Sequence, residues 1–188
     1  MPYGKRLPVR TVYARGRFQV LEDRWRLRDG TEVTFPLLRS PSFAVVVGLT
    51  DDHEIPFVEN LHPSPGLHLI ELPGGRIERN ETPRAAARRE LEEETGWKAR
   101  RLTPLGRYHP NPHWGTFEGH VFLGDELSAA GAHPDVGESL RPLLLPVGEV
   151  YRRFRQGRFL GGSTIVGLAL AEDRLRARGL LRRISGRR

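Results

Sequence analysis

The strongest constraint on this chain lies between Gly75 and Trp97, in the run GRIERNETPRAAARRELEEETGW. Thr82 is a good N-cap residue, and Pro83 falls at the first helical position, where its missing N–H costs nothing. Alanines and long unbranched side chains from Ala85 to Glu94 favour helix, and Gly96 stops it. Glu90, Glu93 and Glu94 stand at i, i+3 and i+4 and therefore share one helix face. Like charges at that spacing destabilise a bare helix by roughly 0.2–0.5 kcal/mol per pair. A divalent cation would offset this, because hard cations take carboxylate oxygens together with substrate phosphates. Arg89 precedes Glu93 by one helical turn and can hold that carboxylate, and Gly74-Gly75 reads as a turn that can bring a backbone carbonyl to the same ion. A glutamate run by itself also fits an ordinary solvated helix face.

The flanking sequence alternates strand-sized segments with turns. Trp25 and Leu27 alternate with Arg24, Arg26 and Arg28, Asp29-Gly30 reads as a hairpin turn, and Val33 and Phe35 continue the alternation up to Pro36. Residues 1–38 are thus expected to form a small β segment, and residues 39–188 the main domain. Within the latter, strands are expected at Phe43–Leu49, Ile55–Glu59, His68–Leu72, Leu102–Tyr108, Phe117–Leu123 and Leu140–Leu145. Loops are expected at Leu61–Leu67, His109–Gly115 and Gly124–Gly137. A short helix is expected over Val147–Gln156, and a last helix capped by Ser163. Mixed strands and helices imply an α/β layered sheet with helices on its faces.

Composition narrows the classes. No apolar run reaches the roughly 18–20 residues of a membrane span, and the N-terminus shows no apolar leader. Cysteine is absent, which removes disulfides and thiolate metal sites. A cytoplasmic protein with no membrane partner is the expectation. The net charge is +7, and only Lys5 and Lys98 are lysines. Arginine binds phosphate bidentately, so a phosphate-bearing partner and a merely solvated basic surface both suit this excess. The arginine-rich C-terminus lacks aromatic interleaving and any RNA-binding signature, so nucleic acid is not expected as a partner.

Gly75, Glu81, Arg89, Glu90, Leu91, Glu93, Glu94, Gly96 and Trp97 fall at the positions of the Nudix box, so the chain resembles the Nudix hydrolases. Seven fixed positions of this kind arise by chance on the order of once in 10⁸ starts. Trp97 stands where that family usually carries an aliphatic residue. Ile70–Gly75 and Pro112 resemble the ADP-ribose pyrophosphatase branch. The resemblance implies a Nudix α/β/α sandwich with a mixed sheet, preceded by the small N-terminal β segment, and a homodimer formed through that segment. It implies hydrolysis of the diphosphate in ADP-ribose or a related nucleotide sugar, with Mg²⁺ as cofactor and Mn²⁺ as a substitute. Dinucleoside polyphosphates and nucleoside triphosphates are the alternative substrates, and a non-catalytic nucleotide- or RNA-binding module is the alternative class.

Carried over position by position, the resemblance makes Glu90, Glu94 and the Gly74 carbonyl metal ligands, with Glu93 as ligand or catalytic group. Glu81 and Arg89 become the supporting ion pair, Arg89 also counting among the catalytic residues, and Gly75 the supporting bend. A late loop in that branch supplies a further carboxylate as base or ligand. Glu138 matches it better than Glu118 or Glu126. Arg39, His62 and Pro112 fall at substrate-binding positions, and His62 departs from the arginine often found there.

Overall fold

A computed structural model describes residues 3–131 and 140–181. The chain divides into two compact units, Met1–Ser42 with Tyr108–Glu118, and Phe43–Arg107 with Gly119–Arg188.

The first unit is built on an antiparallel sheet of β1 (Gly4–Arg6), β2 (Arg10–Arg15), β3 (Phe18–Leu27) and β4 (Glu32–Arg39). β3 is the hub: β1 and β2 pair with successive stretches of it, and β4 pairs along its length. The alternation seen in the sequence is realised, with Trp25 opposite Val33 across the hairpin. Pro36 lies opposite Glu22. Tyr3 meets Trp25 edge-on at 5.6 Å between ring centroids, and the Trp25 Nε1–H donates to Asp23.

The second unit carries the layered core. Its mixed sheet runs β8 (Gly74–Arg76), β5 (Phe43–Gly48), β10 (Gly119–Ala129), β9 (Trp97–Tyr108), with β5 and β10 parallel and β8 antiparallel to β5. A second, antiparallel sheet runs β11 (Leu140–Pro146), β6 (Glu54–His62), β7 (Leu67–Glu71). β5 is apolar throughout because both of its faces are covered. Val45 and Val47 enter a core shared with α2 (Val147–Arg155) and α3 (Gly162–Ala177), through Val150, Tyr151, Leu168 and Ala171. Ala44 and Val46 point the other way, onto Ala86, Ala87 and Leu91 of α1 (Pro83–Thr95). The result is a helix–sheet–helix sandwich, as the strand and helix pattern implied. Among the described residues, no helix is long and apolar enough to cross a membrane.

Four expectations need correction. The segment from Gly124 is not a loop as far as Ala129, because β10 continues through it. Asp125, within that stretch, is buried and held by the Arg178 guanidinium, with a 3.0 Å bond to Oδ2. Ser163 does not cap α3. Gly161 takes that position with no side-chain bond, and Thr164 in the first turn accepts the Leu72 N–H at 3.0 Å. The loop expected at Leu61–Leu67 shrinks to a turn, since β6 runs through His62 and β7 starts at Leu67, with Leu61 opposite His68. Finally, Gly74-Gly75 is not a turn but part of the edge strand β8, paired with Ala44 and Val45.

Candidate active site

The glutamate helix is anchored at both ends. The Thr82 hydroxyl accepts the Ala85 N–H at 3.2 Å, and Gly96 closes the helix at φ 73°, a left-handed conformation that glycine adopts without a Cβ penalty. Arg84 and Arg88 donate to the carbonyls of Leu102 and Ala99, tying the helix to β9. The alanine face packs on the sheet. Arg89, Glu90, Glu93 and Glu94 of the helix line a cleft of about 570 Å³ that Gly74, Gly75 and Glu78 also border.

Arg89 organises that face. Its Nε donates to Glu81 Oε1 at 3.0 Å, its Nη2 to the Arg76 carbonyl at 3.0 Å, and its Nη1 to Glu93 Oε2 at 2.8 Å. The same Nη1 lies 2.9 Å from Glu90 Oε1. One guanidinium thus neutralises part of the repulsion among three carboxylates. The bond from Arg89 holds the Glu81 carboxyl below the usual carboxylate range, and the Glu78 N–H, donated at 2.9 Å, adds to this. The Glu81 carboxylate in turn raises the pKa of Arg89. Glu94 is anchored differently: its Oε2 accepts the Gly74 N–H at 2.9 Å.

The two glycines of β8 let the strand approach the helix and its neighbour. A methyl group on Gly75 would stand 2.3 Å from Glu90 Oε1, so the carboxylate rests against a backbone with no side chain. A methyl group on Gly74 would stand 2.3 Å from the Ala44 carbonyl oxygen.

The chemistry of this donor set suits a hard divalent cation. Glu90 and Glu94 are buried, all the donors are oxygens, and the cleft is open to a ligand. Among the described residues no three such side chains form a ready-made metal cage. A magnesium site does not need one, since that ion is typically held by one or two carboxylates, waters and substrate phosphates.

The remaining expected residues fall elsewhere. His62 belongs to a neighbouring chamber that shares Gly74 and Glu94. Arg39 and Pro112 lie in the first unit, where Arg39 Nη1 donates to Gln19 Oε1 at 3.0 Å. Glu118 also lies there, 3.4 Å from His109 Nε2, while Glu126 faces Arg100 at 3.1 Å. Glu138 lies outside the described residues. Sequence reasoning missed Glu78, which sits at an unconstrained position between Gly75 and Glu81 yet borders the cleft. It also missed Asn60 and Glu71, whose partnership with His62 no spacing rule encodes.

The NUDIX domain model matches residues 39–160. ADP-ribose pyrophosphatase of Bacillus subtilis (strain 168) is 35% identical over 102 residues, which are 54% of this chain and 55% of that protein. The matched segment therefore spans little more than half of that relative. CMP-5'-(N-acetyl-N-hydroxy-3-aminopropyl)phosphonate hydrolase of Streptomyces rubellomurinus (strain ATCC 31215) is 29% identical over 142 residues, 76% of this chain and 69% of that protein. A crystal structure of an ADP compounds hydrolase superposes with a TM-score of 0.83 at 21% identity, covering 95% of this chain and 97% of the other, and supports the fold.

Proposed function

The chain belongs to the NUDIX family, and on that premise we propose that it hydrolyses the diphosphate linkage of a nucleoside diphosphate derivative, ADP-ribose or a related nucleotide sugar, to a nucleoside monophosphate and a second phosphorylated fragment. The observation that carries this reading is the cleft where Glu78, Glu90, Glu93 and Glu94 meet the bare backbone of Gly74-Gly75. A purely structural helix would gain nothing from crowding three of its carboxylates there.

Glu90 and Glu94, with the Gly74 carbonyl, would hold Mg²⁺, or Mn²⁺ in its place. Bound there, the cation would neutralise diphosphate charge and lower the pKa of a water ligand. Arg89 keeps the Glu90 and Glu93 carboxylates on the cleft side of the helix, and Glu81 fixes Arg89. Glu93 keeps 34% of its side-chain surface, so it can reach a water at the cleft and take its proton. Glu138 is a second candidate for that role. Arg39, His62 and Pro112 are proposed to contact substrate. The names of two relatives, an ADP-ribose pyrophosphatase and a hydrolase of a CMP-linked phosphonate, support a nucleotidyl substrate.

The deciding experiment is turnover of ADP-ribose, other nucleotide sugars, dinucleoside polyphosphates and nucleoside triphosphates with Mg²⁺ or Mn²⁺, with product identification. Glu90→Gln combined with Glu94→Gln abolishes turnover if the assignment holds. Survival of metal-dependent turnover in that double variant overturns it. Absence of turnover on the whole panel, with nucleotide binding retained, favours a non-catalytic module.

We also propose that the chain works in the cytoplasm as a homodimer joined through the N-terminal strands. β2 lies at a sheet edge with all six residues exposed, including Val12 and Tyr13. Sedimentation equilibrium of the wild type and of Tyr13→Glu checks this.

A further inference from the structure

The positive charge of the chain is confined to one end of the sequence. There are 30 basic and 23 acidic residues, and seven of the basic ones are arginines between Arg174 and Arg188, a stretch with no acidic residue. Residues 1–173 are therefore balanced, 23 against 23, and the whole excess of +7 sits in this stretch. Its first part closes α3. Arg176 pairs with Glu172 and Arg178 with Asp125, whereas Arg174 is exposed and makes no ion pair among the described residues. Leu180 and Leu181 then pack into the core shared with α3, and the Leu180 N–H donates to the Leu175 carbonyl at 3.1 Å. The chain is thus held to α3 up to the point where Arg182, Arg183, Arg187 and Arg188 follow in sequence.

The same helix exposes an apolar face. Thr164, Gly167, Leu168, Ala171 and Leu175 form its buried side. On the other side Ile165 keeps 39% and Leu170 38% of its surface, with Val166 half-buried and Ala169 exposed between them. No charged side chain stands in α3 before Glu172. A helix that is apolar all round is normally covered all round. Leu160, just ahead of α3, is 72% exposed and enlarges the patch. Arg158 is exposed beside it and, like Arg174 beyond the other end, makes no ion pair among the described residues.

An apolar face bracketed by unpaired arginines, and followed by concentrated positive charge, complements a surface that is anionic outside and apolar beneath. Nucleic acid supplies the anions but no apolar layer, and residues 162–188 contain no aromatic ring on which bases could stack. A lipid bilayer with anionic headgroups supplies both. Apolar insertion and a polybasic segment are also the paired signals that stable peripheral attachment takes.

We propose that α3 and the arginines after it dock the protein onto an anionic lipid bilayer. Leu160, Ile165 and Leu170 enter the headgroup boundary, and Arg158, Arg174 and the arginines that follow Leu181 meet the lipid phosphates. Docking of this kind crosses nothing, so the lack of a membrane-spanning run does not bear on it. α3 and α1 cover opposite faces of β5, so the docked face is not the layer that carries the glutamates. The proposal stands independently of the hydrolytic reading.

The test is co-sedimentation of the full chain with vesicles of phosphatidylcholine alone and of phosphatidylcholine mixed equally with phosphatidylglycerol. The mixed vesicles are expected to bind about 100-fold or more tightly than the neutral ones, and added salt to release the protein. Arg182→Gln, Arg183→Gln, Arg187→Gln and Arg188→Gln combined should weaken partitioning by about fivefold per arginine. Leu160→Ser combined with Ile165→Ser, checked for an unchanged unfolding midpoint, should weaken it about tenfold. No retention on mixed vesicles, equal retention on neutral ones, or retention that the Leu160 and Ile165 variant leaves unchanged overturns the proposal. Binding of a single-stranded RNA oligomer without binding of mixed vesicles also overturns it, and reassigns the arginines to nucleic acid.

Discussion

The Glu90 carboxylate occupies the space in which a side chain at residue 75 would begin: a methyl group on Gly75 would lie 2.3 Å from Oε1 and 2.5 Å from the carboxyl carbon. These atoms are the far end of a flexible side chain, so the fold can yield by turning Glu90 away. Gly75→Ala is expected to lose stability by only about 1 kcal/mol and most of its metal-dependent turnover. Urea unfolding and initial rates on one preparation check both. A variant with unimpaired rates would show that the position of the Glu90 carboxylate is immaterial.

Gly74→Ala behaves differently, because its methyl group would meet backbone: the Ala44 carbonyl oxygen at 2.3 Å and Val45 Cα at 2.9 Å. The β8–β5 pairing has to move. A loss of about 1–3 kcal/mol is expected, visible as faster amide exchange in residues 74–76. The contrast between adjacent glycines separates a functional close approach from a structural one.

Glu81 gives a pH signature. Arg89 lowers its folded pKa below the unfolded value of about 4.3. The pair therefore adds stability that is fully present above the unfolded pKa and lost as pH falls through the folded pKa. Glu81→Gln is expected to cost about 1 kcal/mol at pH 7, after allowance for partial solvent screening of Arg89. The difference from wild type should shrink as pH falls below the unfolded value and be lost once Glu81 is protonated in the folded state. Denaturant midpoints measured down the acid limb read it, and a difference that does not shrink with falling pH excludes the pair as its source.

Thr164→Val keeps the shape of the side chain but strands the buried Leu72 N–H. An unsatisfied buried donor costs about 1–3 kcal/mol. Chemical denaturation reads this directly, and Thr164→Ser should restore much of the loss.

Removing Arg178 leaves Asp125, 4% exposed, with the longer 3.4 Å approach of Arg101 as its ion pair among the described residues. Arg178→Ala is expected to destabilise by about 2 kcal/mol, less than a wholly buried pair would lose, because Arg178 is itself partly exposed. The double variant Arg178→Ala with Asp125→Asn should recover part of that loss in thermal unfolding.

What was legible in the sequence was local. The caps of α1 at Thr82 and Gly96, the shared face of Glu90, Glu93 and Glu94, and the Trp25–Val33 hairpin each depend on residues a few positions apart. What was hidden depended on distant partners. Asp125 reads as a loop residue until Arg178, far along the chain, neutralises it within β10. Ser163 reads as a cap because serine often caps, but the first turn of α3 is fixed by the bond between Thr164 and Leu72. Gly74-Gly75 reads as a turn because paired glycines favour turns, whereas here they let an edge strand lie close to a helix. The Asn60–His62–Glu71 network assembles across two strands whose register the composition does not specify.

β5 faces a different helix layer with each successive residue: Ala44 and Val46 toward α1, Val45 and Val47 toward α2 and α3. A one-residue insertion or deletion within it would reverse this parity, driving valines into the space fitted to alanine on one side and leaving voids on the other. Length changes in related chains should therefore gather in the connecting turns and spare this strand, even where individual side chains vary freely.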